Sequence, residues 1–388
     1  MPPSHGRTIG RAALALVGWL VAPPSVADPR EPGATRLLAD GELLATLGPR
    51  ERGYFNFTEY SARPLRQARL TLLAELRRGD RLALLAALRT QNFEDATLTA
   101  LYLRLRPWRA LDVQAGRVPP VFGGFARRGY GVGNLLVSLP LGYQYLTTLR
   151  PDVRPRSAET LLRWRGGGWR PAYAPGDTAG LPLVHGDLWD TGIELRLGAG
   201  GPWEAAAALT QGSPSRPRVR DDNRGKSLTG RVQRRFGAAL AVGLSAARGA
   251  YLERAAEGAQ AGVQRAFAFD LEYARGPWLL RAEALRSAWD APSVQPRALV
   301  AWALHVEGRV RVAPQLDLAA RAERLTFARI QGLTRADTWD ADVGRLEVAL
   351  GYRLRRNVQL KGAWQQNWRD GGYVRREGLP VVQLGWRF

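Results

Sequence analysis

From about Gly53 to the end of the chain, segments of strand length carry an apolar residue at every second position. Val358, Leu360, Gly362 and Trp364 alternate with Gln359, Lys361, Ala363 and Gln365, and Leu346, Val348, Leu350 and Tyr352 alternate with Arg345, Glu347 and Arg353. Val300, Trp302, Leu304 and Val306 alternate with His305, Glu307 and Arg309; Trp189, Thr191, Ile193 and Leu195 alternate with Asp190, Glu194 and Arg196. Successive side chains of a strand point to opposite faces, so period two describes a sheet with one aliphatic and aromatic face and one face bearing charges of both signs. After the N-terminal segment, every apolar run is broken within a few residues by Arg, Glu, Asp or Gln. A helix needs about twenty apolar residues to cross a bilayer, whereas a strand needs only about ten, so any membrane role falls to strands.

Turn signals divide the pattern regularly. Short breaks at 78–80, 106–108, 198–202, 236–237, 275–277, 313–314 and 355–357 alternate with longer polar connections at 91–96, 118–187, 213–225, 250–263, 290–297, 328–340 and 370–377. A membrane barrel with short periplasmic turns and long outer loops requires that alternation. The spacing predicts strands at 51–60, 66–78, 80–90, 96–107, 109–118, 188–199, 202–212, 226–236, 238–249, 264–275, 278–289, 298–311, 314–327, 341–354, 358–369 and 378–388. The count is about sixteen, with fourteen or eighteen also compatible, and an even number leaves both ends on the periplasmic side. Residues 51–388 are thus read as an all-β, transmembrane antiparallel barrel with a long loop, 118–187, after strand 5. Segment 28–50 is read as a periplasmic lead-in, within which 43–47 could pair. A soluble β-sandwich also alternates. Aromatics near strand ends (Trp189, Trp203, Trp278, Trp289, Trp302, Trp364, Trp386) favour the barrel, where they would form interfacial girdles.

The first residues have the form of a secretory signal. Arg7 and Arg11 precede an apolar run at 12–22, and Ser25-Val26-Ala27 offers a cleavage site, so 1–27 is expected to be removed. The chain has no cysteine, and a closed barrel satisfies its edges without disulfides. The formal charge of +21, almost all from arginine, could suit nucleic acid, an anionic lipid surface or anionic solutes. Nucleic acid is the wrong partner for an exported chain, and the arginines are spread over strands without any nucleic-acid motif.

The last strand, Val-Val-Gln-Leu-Gly-Trp-Arg-Phe, places Leu384, Trp386 and Phe388 at alternate positions. It resembles the C-terminal assembly signal of Gram-negative outer-membrane proteins, which implies handling by the barrel-assembly machinery. The mature chain also resembles an uncharacterised porin-like family of such bacteria. The carrying stretches are GYFNFTEY from Gly53, QAGRVPPVFGGFARRGYG from Gln114, LPLGYQYLTTLRPD from Leu139, RDDNRGKSLTGR from Arg220 and RLEVALGYRLRRNVQLKGAWQQNWRDGG from Arg345. More distantly the layout is similar to general porins and to the phosphate-selective porins O and P. The resemblance implies an outer-membrane channel, a homotrimer, and a loop after the fifth strand that folds into the pore. The loop here is unusually long, so it could equally plug the lumen or form a small subdomain.

Two groups of residues are candidates for function. The 118–187 segment holds eight Arg and four acids: Arg127, Arg128, Arg150, Arg154, Arg156, Arg163, Arg165 and Arg170 lie among Gly, Pro and aromatic residues. If they line a narrowing, they concentrate small anions and repel cations; otherwise they cap the surface and meet water or lipopolysaccharide phosphates. The second group projects from the polar faces of the strands: Glu75, Arg77, Arg89, Arg104, Arg106, Arg231, Arg281, Glu283, Arg309, Arg321, Glu323, Arg345, Glu347 and Lys361. These set a transverse field or form cross-strand ion-pair ladders. Signals for catalysis are poor. Of three histidines, His5 lies in the leader, His185 in the long loop and His305 on a polar strand face, and no zinc or phosphate-loop motif is present. The acidic run 221–223 is read as a solvated loop in preference to a weak Ca²⁺ site. The sequence therefore predicts no enzyme and no cofactor, but a passive channel or, alternatively, a plugged barrel that presents its loops to a partner.

Overall fold

The computed structural model describes residues 35–57, 63–125, 133–167, 178–186, 189–221, 223, 225–257 and 262–388. Sixteen of its strands close into one antiparallel barrel. In chain order the wall is β1 (Thr35–Leu47), β2 (Gln67–Arg78), β3 (Leu82–Gln91), β4 (Asp95–Trp108), β5 (Leu111–Val118), β6 (Asp190–Leu197), β7 (Trp203–Thr210) and β8 (Ser227–Phe236). It continues through β9 (Leu240–Ala250), β10 (Val263–Arg275), β11 (Trp278–Trp289), β12 (Leu299–Ala313) and β13 (Leu316–Phe327). A small hairpin, β14 (Arg329–Gln331) and β15 (Ala336–Thr338), stands outside the wall, which finishes with β16 (Val343–Arg355), β17 (Val358–Arg369) and β18 (Arg376–Arg387). Short connections such as 79–81, 109–110, 276–277 and 356–357 share one end with residues 35 and 388; the longer ones, 48–66, 119–189, 251–262 and 328–342 among them, lie at the other. The leader, 1–27, lies outside the described residues.

Register turns the alternation into two surfaces. Leu346, Val348, Leu350 and Tyr352 are 40–50% exposed on β16, while Arg345 and Glu347 between them are 0% and 1% exposed. The outside is therefore the apolar face and the inside the charged one, the arrangement a bilayer demands of a barrel. Trp203, Trp278 and Trp386 project from the exterior toward the short-turn end, and Trp302, Trp364 and Trp368 toward the long-loop end. Trp289, expected in the girdle, instead turns inward and is fully buried, with its ring centroid 5.7 Å from that of Trp339.

The first strand corrects the expectation for the N-terminal region. Residues 35–46 pair with β2 and residues 42–47 with β18, so most of the supposed lead-in 28–50 is wall. The predicted strand 51–60 is not a wall strand: 51–57 belong to the connection after β1, Tyr54 has a φ of 54°, and Phe55 is fully buried in the interior. The rest of that stretch, 58–60, lies outside the described residues. At the seam, Phe388 and Gly41 exchange backbone hydrogen bonds of 3.0 and 2.9 Å. The Phe388 ring lies where a side chain at position 41 would stand, which is why glycine is needed there.

Candidate functional site

The connection between β5 and β6, 119–189, enters the barrel and packs against the wall from β9 to β17. Its described residues include two short helices, α1 (Leu141–Gln144) and α2 (Ala158–Trp164). Its Phe125, Leu141, Tyr143, Leu149, Leu161 and Leu183 form one buried apolar cluster with inward-facing wall residues that include Leu285, Trp289, Leu299 and Phe327. The approach is close: a Cβ on Gly142 would fall 2.9 Å from the Ala303 Cβ.

Polar contacts between loop and wall follow a simple division. Wall carboxylates accept the loop's N–H groups, and wall cations donate to its carbonyls. Glu347 accepts from the backbone of Val137 (2.9 Å) and Ser138 (3.1 Å) and from the Ser138 hydroxyl. Glu323 accepts from Leu141 N–H (2.5 Å), and Glu283 accepts from Gly124 N–H (2.9 Å) and the Tyr143 hydroxyl (2.7 Å). Lys361 donates to the carbonyls of Asn134 (2.7 Å) and Leu136 (3.3 Å); Arg345 donates to that of Leu139 (3.1 Å) and also to that of Phe55 (2.9 Å) in the connection after β1. Behind these contacts the wall charges hold one another. Arg321 lies within 3.5 Å of Glu307, 2.8 Å of Glu323 and 3.1 Å of Glu347. A buried charge is tolerable only when paired and hydrogen-bonded, and here the loop backbone supplies hydrogen bonds that the wall cannot make to itself.

The remaining wall residues are also inward-facing. Arg231 makes a two-pronged pair with Asp270 (2.5 and 2.7 Å), and Arg281 bridges Glu272 (2.7 Å) and Glu307 (3.5 Å). On the opposite side, Glu75 is shared by Arg77 (2.8 Å) and Arg104 (3.2 Å), and Arg106 holds Asp112 at 2.6 Å. Arg309 is half-buried, and among the described residues it has no hydrogen-bond or ion-pair partner. The interior is not filled throughout. Leu38 and Leu73 face inward toward the short-turn end, yet they are 49% and 41% exposed, which leaves room for water in front of them.

The loop arginines are placed differently from one another. Arg150 is buried in a pair with Asp152 (2.5 Å), and Arg154 donates to the carbonyl of Ala256 (3.0 Å) in α3 (Arg254–Glu257). Arg165 grips Asp370 (2.6 Å) and the Thr338 hydroxyl (2.8 Å). Arg154 and Arg165 tie 119–189 to neighbouring long connections and Arg150 pairs within it, whereas Arg156 and Arg163 are exposed. Arg127, Arg128 and Arg170 lie outside the described residues. His305 stands 4.0 Å from Glu283, with its ring against Phe125; His185 is buried, and its backbone N–H donates to the Pro214 carbonyl (2.7 Å). In the acidic run, Asp221 pairs with Lys226 and the Asn223 side chain donates to the Gln211 carbonyl (2.9 Å).

Two buried carboxyls outside the wall were not singled out from the sequence. Asp340 accepts from the backbone of Thr148 (2.8 Å) and Gly166 (2.9 Å), and burial pushes its carboxyl up. Glu51 accepts from the backbone of Phe55 and Asn56, and burial raises its pKa to about 6 against the opposing pull of Arg345 and Arg63. The raised value means that the folded state favours the neutral acid. The associated stabilisation, about 2 kcal/mol, is complete below pH 4.5 and lost as the pH rises through about 6. Proteolysis within 48–66 should accelerate across that window in the native protein, and Glu51→Gln should flatten the dependence.

A closed sixteen-strand barrel with an apolar exterior, a charged interior and an infolded connection after its fifth strand is an outer-membrane barrel of the porin type. Solved structures agree on the fold. OmpT of Vibrio cholerae, folded in vitro, superposes with a TM-score of 0.58 at 12% identity over 93% of this chain and 100% of that one. Salmonella typhi OmpF in complex with daunomycin gives 0.56 at 12%, covering 91% and 97%, and an anion-selective porin from Comamonas acidovorans gives 0.54 at 11%, covering 91% and 99%. No family model matches the chain, and no curated protein matches it in sequence.

Proposed function

We propose that the barrel is a passive outer-membrane channel for small hydrophilic solutes, with a preference for anions. The observation that carries this reading is the accessible interior near the short-turn end. There, most inward-facing acids are engaged by arginines, Glu75 by two of them, with Asp40 the exception among the described residues, and Arg309 has no partner among those residues. An excess of guanidinium over carboxylate in a confined aqueous space raises the local concentration of anions. Of the loop arginines, Arg127, Arg128, Arg156, Arg163 and Arg170 belong to the same reading as the basic lining of the narrower outer part, whereas Arg150, Arg154 and Arg165 are taken up by contacts that hold the loop. The channel needs no cofactor and makes no bonds. In this reading the barrel works as a homotrimer in a lipopolysaccharide-bearing membrane, delivered through the C-terminal strand by the barrel-assembly machinery. The anion-selective porin from Comamonas acidovorans shares the fold, which is compatible with the anion preference.

Planar-bilayer recording of the refolded protein under a salt gradient tests the reading. Stable conductance steps are expected, with a reversal potential on the anion side. Arg104→Glu combined with Arg309→Glu should lower the anion preference several-fold, since each exchange reverses a charge beside the aqueous path. The burial of the loop's apolar cluster favours a second reading, a plugged barrel that offers its outer loops to a partner. A folded protein that never conducts would select it.

A further inference from the structure

The lipid-facing wall is not uniform. Across β6 to β12 it contains an apolar hollow of about 780 Å³. Its floor is made of small residues, Ala207, Gly230, Ala246 and Ala284 among them, and its sides include Phe267 and Phe269, which are exposed. A Cβ built on Gly230 would meet nothing within 4 Å, so the floor is open to whatever lies alongside. On a membrane barrel, such a recess is filled by hydrocarbon or by protein.

The rim above the hollow is basic. Arg248 near the end of β9, Arg265 near the start of β10 and Arg286 on β11 all lie toward the long-loop end, on the outward-facing side of their strands. Arg248 and Arg265 are direct cross-strand partners, and Phe267, the opposite number of Arg286, is two residues from Arg265. Like charges directly opposite on a sheet repel. Among the described residues, only Arg265 of the three has a carboxylate partner, Asp290 at 2.8 Å. Arg286 sits over the Trp302 ring at 5.7 Å, and Arg248 has no ion-pair partner among the described residues. Among the described residues, two guanidiniums thus remain without an acid toward the long-loop end.

We propose that this recess is a binding site for a phosphorylated outer-leaflet glycolipid of the lipid A type, with acyl chains in the hollow and a phosphate across Arg248 and Arg286. Guanidinium matches phosphate in charge and in hydrogen-bonding geometry, and an anion there also offsets the repulsion between Arg248 and its cross-strand partner Arg265. A protein occupant would have to bring acids to the level of the head groups, whereas the membrane already supplies an anion there. From the proposed function this takes only that the long-loop end lies in the outer leaflet; conduction plays no part in it.

The test is native mass spectrometry of the folded protein in detergent, titrated with bisphosphorylated lipid A and, separately, with its dephosphorylated form. The phosphorylated lipid should bind about tenfold or more tightly than the dephosphorylated one, and Arg248→Gln with Arg286→Gln should remove that advantage. Ala246→Trp, which fills the hollow, should weaken binding of lipid A while heat-modifiability on gels shows the barrel still folded. Equal binding of the two lipids, or equal binding by the double variant, overturns the proposal. A change of oligomeric state in Ala246→Trp with lipid A binding intact also overturns it and assigns the recess to a second copy of the chain. Bilayer conductance of the same variants should stay at the wild-type level, so failure here is separate from failure of the channel reading.

Discussion

Replacing Glu347 with alanine is expected to release 119–189 from the wall and to raise the conductance of the channel. The side chain is 1% exposed and accepts three hydrogen bonds from Val137 and Ser138 while it pairs with Arg321 at 3.1 Å. Alanine strands two buried N–H groups and a hydroxyl, and leaves Arg321 to share Glu307 and Glu323. Breaking a buried pair from one side costs about 3–5 kcal/mol, because the surviving charge stays buried without its partner. That cost falls on the docked state of the loop; the wall strands keep their own ladder. Single-channel recording should therefore show larger or fluctuating steps, and limited proteolysis should cut within 119–189 in the folded protein. Glu347→Gln should sit between, since the amide keeps an acceptor for the backbone but loses the charge facing Arg321. Wild-type conductance and an unchanged digestion pattern in the alanine variant would mean that apolar packing alone seats the loop.

Deleting Phe388 is expected to cause the second large effect, a collapse in the yield of closed barrel. The residue contributes the last pair of backbone hydrogen bonds to β1 and covers Gly41 with its ring, and that ring also stacks near Trp386 at 4.8 Å. Losing the pair and the ring together removes about 2 kcal/mol from the seam, roughly a thirtyfold change in the ratio of closed to open barrel. Phe388→Ala retains the backbone pair and should fall between wild type and deletion. The readout is the heat-modifiable gel shift of outer-membrane fractions. Urea refolding of purified protein then separates the two roles: a variant that refolds normally in vitro but fails in cells has lost a delivery signal, whereas one that fails in both has lost the seam.

The wall was legible because lipid and lumen impose opposite demands on alternate residues. On β11 to β13, β16 and β17 the pattern has few exceptions, and Glu283, Arg321, Arg345, Glu347 and Lys361 fall on the inner face as the period requires. It failed at the N-terminus for a physical reason. In β1 the inward positions include Leu38 and Leu44, and the outward ones include Gly41, so alternation is blurred just where a glycine must accept the terminal ring. Meanwhile Phe55 and Phe57, spaced as in a strand, are buried residues of a connection. Most docking partners of the wall were beyond sequence reading, because Val137, Ser138, Leu141 and Gly124 donate through their backbones, with the Ser138 and Tyr143 hydroxyls the side-chain exceptions. Asp270 could have been found, since it occupies a polar-face position of β10; Asp340 lies in a loop with no period to betray it.

The backbone docking of 119–189 bears on how such a chain can change. A main-chain amide is supplied by any residue but proline, so most loop side chains are free of the wall carboxylates that hold the loop. Substitutions that face the aqueous path can then accumulate while the mount stays as it is, and solute preference becomes adjustable independently of assembly. The inner wall works as a socket and the loop as an exchangeable insert, a division of labour that would suit both natural drift and the grafting of new linings into a sensing pore.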